Sequence, residues 1–208
     1  SSPSRGLGDV YKRQILVFWL IMIAYPLTVE YLQDNMVIGF FSVLWIAILL
    51  SMMLATEDFF IEDFNDGSLE QTIIKSNSFS LFIVSKTFSY WLLIGIPISI
   101  LSFVFSLGTS ENMTLSFLIL PLSMISSYIF LHLFVLGNAL SLNKGSVLGA
   151  LVTMPMALPV LIVLGKSVTA IQVEINYIGF VYLLLGCLSI IMVIVPQVVT
   201  YIIKAHLE

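Results

Sequence analysis

Six apolar runs, each long enough to cross a bilayer, follow one another with only short breaks, and this succession restricts the chain to an all-α integral membrane fold. A crossing takes about 20 apolar residues. On that measure spans are predicted at residues 15–31, 36–56, 79–107, 113–142, 146–168 and 177–204. Charged residues make up only 10% of the chain and hydrophobic residues 59%. Soluble domains carry about 25% charge, so composition excludes a soluble enzyme or binding module, and no nucleic-acid partner is expected.

One long polar interval interrupts the series between the second and third runs. Residues 57–78, EDFFIEDFNDGSLEQTIIKSNS, hold six carboxylates. A membrane protein keeps such a segment to touch something outside the lipid. Helical spacing puts Phe60, Ile61 and Phe64 on one side of residues 57–64 and Asp58 and Glu62 on another, which predicts an interfacial helix with its aromatic face in the headgroups. Asn65-Asp66-Gly67 then supplies turn chemistry. Ser68 and Gln71 match a capping box, so a second short helix is expected to start there. It would present Leu69, Ile73 and Ile74 as an apolar knob rimmed by Glu70 and Lys75, with Ser78 capping the third span.

Basic residues near span ends stay on the cytoplasmic side, while acidic ones count for little. Threading six spans puts Lys12, Arg13, Lys75, Lys144 and Lys204 on one face. Glu30, Asp34, Glu111 and Glu174 fall on the other, with Lys166 the exception. Both termini and the acidic loop are therefore expected in the cytoplasm. Residues 1–14, SSPSRGLGDVYKRQ, join abruptly to the first apolar run and read as a non-native leader. Residues 15–208 are then one six-helix transmembrane domain.

Several chemistries find no purchase in this sequence. Cys187 is the single cysteine, so no internal disulfide or thiolate metal cluster can form. His132 and His206 lack ligand spacing to each other, and His132 is expected to make an interhelical hydrogen bond. Gly165-Lys166-Ser167 imitates the end of a phosphate-binding loop, but Val160 stands where that motif needs Gly. Asn112-Met113-Thr114 matches a glycosylation pattern by chance. No carboxylate lies mid-span, which argues against a secondary transporter. Pro155 and Pro159 each remove a helical hydrogen bond and predict a kink in the fifth span.

The run TEDFFIEDFNDGSLEQTII, followed by Ser85-Lys86, by Trp91-Leu92-Leu93 with Gly95 and Pro97, and by Met154-Pro155-Met156-Ala157-Leu158-Pro159, resembles the membrane subunit of the cytochrome c maturation ABC transporter, the haem exporter protein B family. The resemblance covers the chain from about residue 15 onward; Lys166 departs from it, and so does the amino terminus, which in the family is a basic cytoplasmic helix. It implies an ABC-2-type permease of six transmembrane helices that pairs with itself and with two copies of an ABC ATPase subunit. Asp66, Gly67, Ser68, Leu69, Glu70, Gln71, Ile73 and Ile74 would form the short cytoplasmic coupling helix between spans 2 and 3 that binds that ATPase. It further implies an inner membrane location, bacterial or organellar, beside a haem-handling membrane protein and a haem chaperone. No cofactor is expected on this chain itself: ATP belongs to the partner and haem is a candidate cargo. Release of the haem-loaded chaperone is the favoured output, with direct haem export or an ABC-2 permease for lipid or drug as alternatives.

Overall fold

The computed structural model describes residues 4–28, 33–75, 78–110, 113–142 and 146–207. Among them every regular element is helical. The order is α1 (Ser4–Thr28), α2 (Gln33–Ala55), α3 (Ile61–Asn65), α4 (Ser68–Lys75), α5 (Phe79–Tyr90), a π-helical turn (Trp91–Gly95), α6 (Ile96–Thr109), α7 (Met113–Ser141), α8 (Ser146–Gln172) and α9 (Ile178–Leu207). Expectations that rested on Glu30, Ser76, Asn77, Glu111, Asn112 and Lys144 lie outside the described residues.

Among the described residues, four helices are long and apolar enough to cross a membrane: Phe79–Thr109, Met113–Ser141, Leu151–Gln172 and Ile178–His206. This makes the chain a multi-pass membrane protein. The apolar part of α2, Gly39–Ala55, is shorter, and α1 carries Asp9, Lys12 and Arg13 in its first half.

The bundle is built around α7. Seventy-two per cent of its most apolar window is buried in the chain, against 11% for α9, so α7 is the axis and α9 lies at the periphery. One core joins α7 to α1, α2, α6 and α8 through residues such as Phe18, Leu44, Ile48, Ile119, Phe130 and Leu164. In lipid, close packing and interhelical hydrogen bonds replace the hydrophobic drive that operates in water. Small residues supply both here. A Cβ on Gly149 would lie 2.1 Å from the Gly137 carbonyl oxygen, so α7 and α8 cross in backbone contact. At the other end of α7, the Ser116 hydroxyl meets Ser106 Oγ at 3.1 Å and Ser110 Oγ at 2.9 Å.

A second core occupies the end of the bundle that carries residues 56–75. It gathers Phe59, Phe60 and Leu69 with Phe79 and Ile83 of α5, Val135, Leu136 and Ala139 of α7, and Val195, Val199 and Ile203 of α9. The helix Phe79–Thr109 thus begins in this core and passes into the first, where Ile94 and Ile98 lie. The π-helical turn sits at the passage. Pro97 has no N–H to return to Leu93, and the Ile96 N–H bonds the Trp91 carbonyl five residues back. A Cβ on Gly95 would stand 2.4 Å from the Trp91 ring; the missing side chain leaves room for the indole, whose N–H points to Met124 O at 3.2 Å and Ser127 Oγ at 3.1 Å on α7.

Three local expectations are corrected. Residues 57–64 do not form one interfacial helix, and Phe60 does not face the headgroups: turns at 56–60 bury both Phe59 and Phe60, and helix resumes only at Ile61. Adjacent residues on a helix point about 100° apart, so the turn is what lets the two rings share one core, edge to face at 4.8 Å. His132 makes its hydrogen bond within its own helix, Nδ1 to Tyr128 O at 2.9 Å, and not across to another. Ser78 stands at the N-cap of α5, yet its hydroxyl pairs with Ser80 Oγ at 3.0 Å and bonds no helical N–H. Pro155 and Pro159, where the kink of the fifth span is expected, both lie inside α8.

Candidate functional site

The loop-bearing end of the bundle is the candidate site, and turn chemistry builds it. After α3, Gly67 adopts φ +74°, a left-handed conformation that glycine takes without strain. Asp66 Oδ1 accepts the Ser68 N–H at 2.9 Å, so Asp66 opens α4. The Ser68 hydroxyl turns back to the Asp63 carbonyl at 3.3 Å. The reciprocal Ser68/Gln71 box is therefore replaced by an Asx turn, with the Gln71 N–H bonded to Gly67 O at 3.3 Å. Hydrogen bonding from Ser68 holds the Asp66 carboxyl below its ordinary value. The cap is thus charged at neutral pH, where an anion suits a helix N-terminus.

The eight residues singled out in the sequence all lie on this Asx turn and on α4, but they face two ways. Leu69 is 1% exposed and belongs to the second core. Ile73 is half-buried at the edge of that core. Asp66, Glu70 and Gln71 are exposed, and Ile74 is 83% exposed. Gly67 and Ser68 are half-buried between them. The apolar knob is thus divided: Leu69 anchors α4 to the spans, and Ile74 stands outward. Glu70 and Gln71 lie four and three residues before Ile74, which puts all three on one surface of the helix. The side chain of Lys75, expected on the rim, lies outside the described residues.

Two residues that the sequence did not single out as site residues hold the loop to the spans. Lys86, on α5, directs its Nζ to the Phe59 carbonyl at 2.6 Å and to the Asp63 carboxylate. The same cation lies 4.8 Å from the centre of the Phe59 ring, within reach of a cation–π attraction. Asn138, near the end of α7, donates from Nδ2 to the Glu57 carbonyl at 2.7 Å and accepts the Phe60 N–H on Oδ1 at 3.1 Å. Both stood in plain sight as polar side chains inside apolar runs, a signal that marks function by default. Their partners lie too far along the chain for any local pattern to pair them.

Beside Asn138, a cavity of about 260 Å³ opens between α2, α7 and α8, lined by Leu54, Glu57, Phe134, Asn138, Gly149 and Thr153 among others. Its hydroxyls are engaged within their own helices: Thr153 bonds Gly149 O at 2.9 Å and Ser141 bonds Gly137 O at 2.9 Å. Among the described residues, no group of three or more His, Cys, Asp or Glu side chains is arranged to hold a metal ion.

The sequence model of the CcmB protein family matches residues 5–206. The Heme exporter protein B of Haemophilus influenzae is 31% identical over 140 residues, covering 66% of this chain and 63% of that protein. Its counterpart of the same name in Pseudomonas aeruginosa is 31% identical over 152 residues, covering 71% and 67%. In Escherichia coli the Heme exporter protein B aligns over 61 residues at 38% identity, 29% of this chain and 28% of that protein. The aligned region thus spans at most about two thirds of these relatives' length.

Proposed function

The chain belongs to the CcmB protein family, and on that premise we propose that it is the permease subunit of an ABC transporter in cytochrome c biogenesis, seated in the bacterial inner membrane. In this reading α1 and α2 join the four long helices as membrane spans, giving the six-span ABC-2 plan, and both termini lie in the cytoplasm. Two copies pair with each other and with two copies of an ATP-hydrolysing subunit. Helix α4 is the coupling helix that docks on that subunit, and hydrolysis takes place on the partner.

The observation that carries this reading is Ile74. An aliphatic side chain left 83% exposed at the bundle end, on one helical face with Glu70 and Gln71, is an apolar tip with a polar rim. Interface anchors have this form, an apolar centre that is desolvated on docking and a polar surround that excludes water. The anchoring of α4 by Leu69 from below fits a helix that must present its outer face without tilting.

The relatives are named as haem exporters, and haem is the candidate cargo of the complex. We favour a division of labour in which hydrolysis drives release of a haem-loaded chaperone from a neighbouring haem-handling membrane protein. The cavity of about 260 Å³ at the loop end is smaller than the roughly 300–1,000 Å³ of sites that enclose drug-sized ligands, which weighs against passage of a large planar cargo through it.

The test is reconstitution. Co-expressed with the ATPase subunit, the haem-handling protein and the chaperone in cells deleted for their own permease, the chain should restore holo-cytochrome c, and a mutation that blocks hydrolysis should leave haem-loaded chaperone trapped on its loading protein. Free passage of chaperone in the hydrolysis mutant, with haem failing to leave the cytoplasm, would replace chaperone release by direct haem export.

A further inference from the structure

The loop after α2 is bonded to the spans more heavily than a connection requires. Its Glu57 carbonyl belongs to an exposed residue, where water could satisfy it, while its Phe59 carbonyl belongs to a residue 1% exposed. Instead two helices each contribute a polar side chain to the same four-residue stretch. Asn138 of α7 takes both the Glu57 carbonyl and the Phe60 N–H, at 2.7 and 3.1 Å. Lys86 of α5 takes the Phe59 carbonyl at 2.6 Å and reaches on to Asp63 in α3. Asn138 is 8% exposed, and the Lys86 side chain is 20% exposed. Polar groups buried to this degree near a membrane boundary are costly unless paired, and here the pairing is with the loop backbone itself.

We propose that Lys86 and Asn138 are positioning residues for energy coupling: they fasten residues 57–63 to α5 and α7, so that a displacement of α4 by the ATPase subunit is delivered to those two spans as one rigid body. This rests on the reading of α4 as a docking helix. Two arms of different chemistry support it, because a backbone-directed amide fixes the position of the turn while a cation bridging a carbonyl and a carboxylate fixes its orientation. The aromatic floor under the cation, Phe59 with Phe60 and Phe82 at 5.8 and 5.9 Å, shields it from water. Leu69 adds an apolar anchor between the same elements. With the loop held in this way, the nearest departure from regular geometry along the third span is the π-helical turn at Trp91–Gly95, beyond the clamped segment.

The experiment uses the full complex of this chain with its ATPase subunit, comparing Lys86→Met, which keeps the aliphatic stem, and Asn138→Leu, which keeps the volume. Three quantities are read: ATPase subunit retained on purification, ATP hydrolysis rate, and holo-cytochrome c made in cells. We expect retention and hydrolysis within twofold of the wild type and a fall of at least tenfold in holo-cytochrome c, with Lys86→Arg recovering most of it. Wild-type cytochrome c yield in both variants would overturn the proposal. So would parallel loss of retention and yield, since that pattern means the residues only shape the docking face. Should both variants be lost from the membrane, Asp63→Asn decides, because it removes the charge at a site 28% exposed while keeping an acceptor: unchanged yield overturns the clamp, and a fall with retention intact upholds it. If the wild-type chain itself retains no ATPase subunit, the docking reading fails, and that result is visible before any variant is made.

Discussion

Replacing Leu69 and Ile74 separately by alanine separates anchoring from docking on a single short helix. Leu69 is 1% exposed in a core shared with α5, α7 and α9. Truncating a buried leucine costs about 2–5 kcal/mol, the sum of lost transfer energy and the cavity left behind. Because Leu69 sits on an eight-residue helix outside the spans, the loss falls on local opening of the loop more than on unfolding of the bundle. At about 1.4 kcal/mol per factor of ten, amides between residues 61 and 75 should exchange with solvent roughly 30-fold to a few thousandfold faster in Leu69→Ala. Ile74 is 83% exposed, so Ile74→Ala should leave exchange within a few fold, as surface substitutions change stability by about 0.5 kcal/mol or less. It should instead weaken retention of the ATPase subunit. Hydrogen exchange read by mass spectrometry on the purified complex in micelles measures both effects. Unchanged exchange in Leu69→Ala, together with lost ATPase binding, would mean that Leu69 faces the partner, and the account of α4 given above would be wrong.

Three further outcomes follow from the packing. Gly149→Ala puts a Cβ at 2.1 Å from a backbone oxygen of α7; backbone cannot swing aside, so the detergent-solubilised chain should lose about 1–3 kcal/mol in a denaturant titration, while Gly165→Ala on the same helix, where nothing lies within 4 Å, should be neutral. Gly95→Ala should push the Trp91 indole off Met124 and Ser127, seen as a shift in Trp91 emission once Trp19 and Trp45 are replaced by Phe. His132→Gln should leave holo-cytochrome c assembly largely intact, because the imidazole bonds Tyr128 O on its own helix and an amide can keep that bond; a stably inserted variant that retains the ATPase subunit and makes no cytochrome c would restore direct haem handling as the leading mechanism.

Helix existence was legible in the sequence wherever an apolar run was long. The predicted span at 113–142 is matched by Met113–Ser141 and that at 79–107 by Phe79–Thr109. The predicted fifth span ends at residue 168, four residues before the helix does. Backbone bonding continues to Gln172, and the chain turns only where Glu174 adopts φ 57°. Turn residues announced the break at Asn65-Asp66-Gly67, since glycine and Asx chemistry acts within a few residues. The direction of Leu69 could not be read in this way. Leu69 and Ile74 are equally apolar, and which of them is buried depends on α5, α7 and α9, whose contributions lie far along the chain. The clamp was hidden for the same reason: Asn138 meets the loop across 78 and 81 positions, and Lys86 across 23 and 27. Capping went to Asp66 and not Ser68 because, once Gly67 turns left-handed, the Asp66 carboxylate faces the first free N–H of α4.

Photo-crosslinking from position 74 reports directly what the outer face of α4 touches. With a photoreactive phenylalanine analogue in place of Ile74, and matched placements at the exposed span positions Ile162 and Val193, the assembled complex is irradiated in native membranes and the products are identified by mass spectrometry. If α4 docks on the ATPase subunit, a covalent adduct to that subunit forms from position 74 and none from positions 162 and 193. Adducts to lipid alone from position 74, in membranes where the ATPase subunit is present and active, would contradict it.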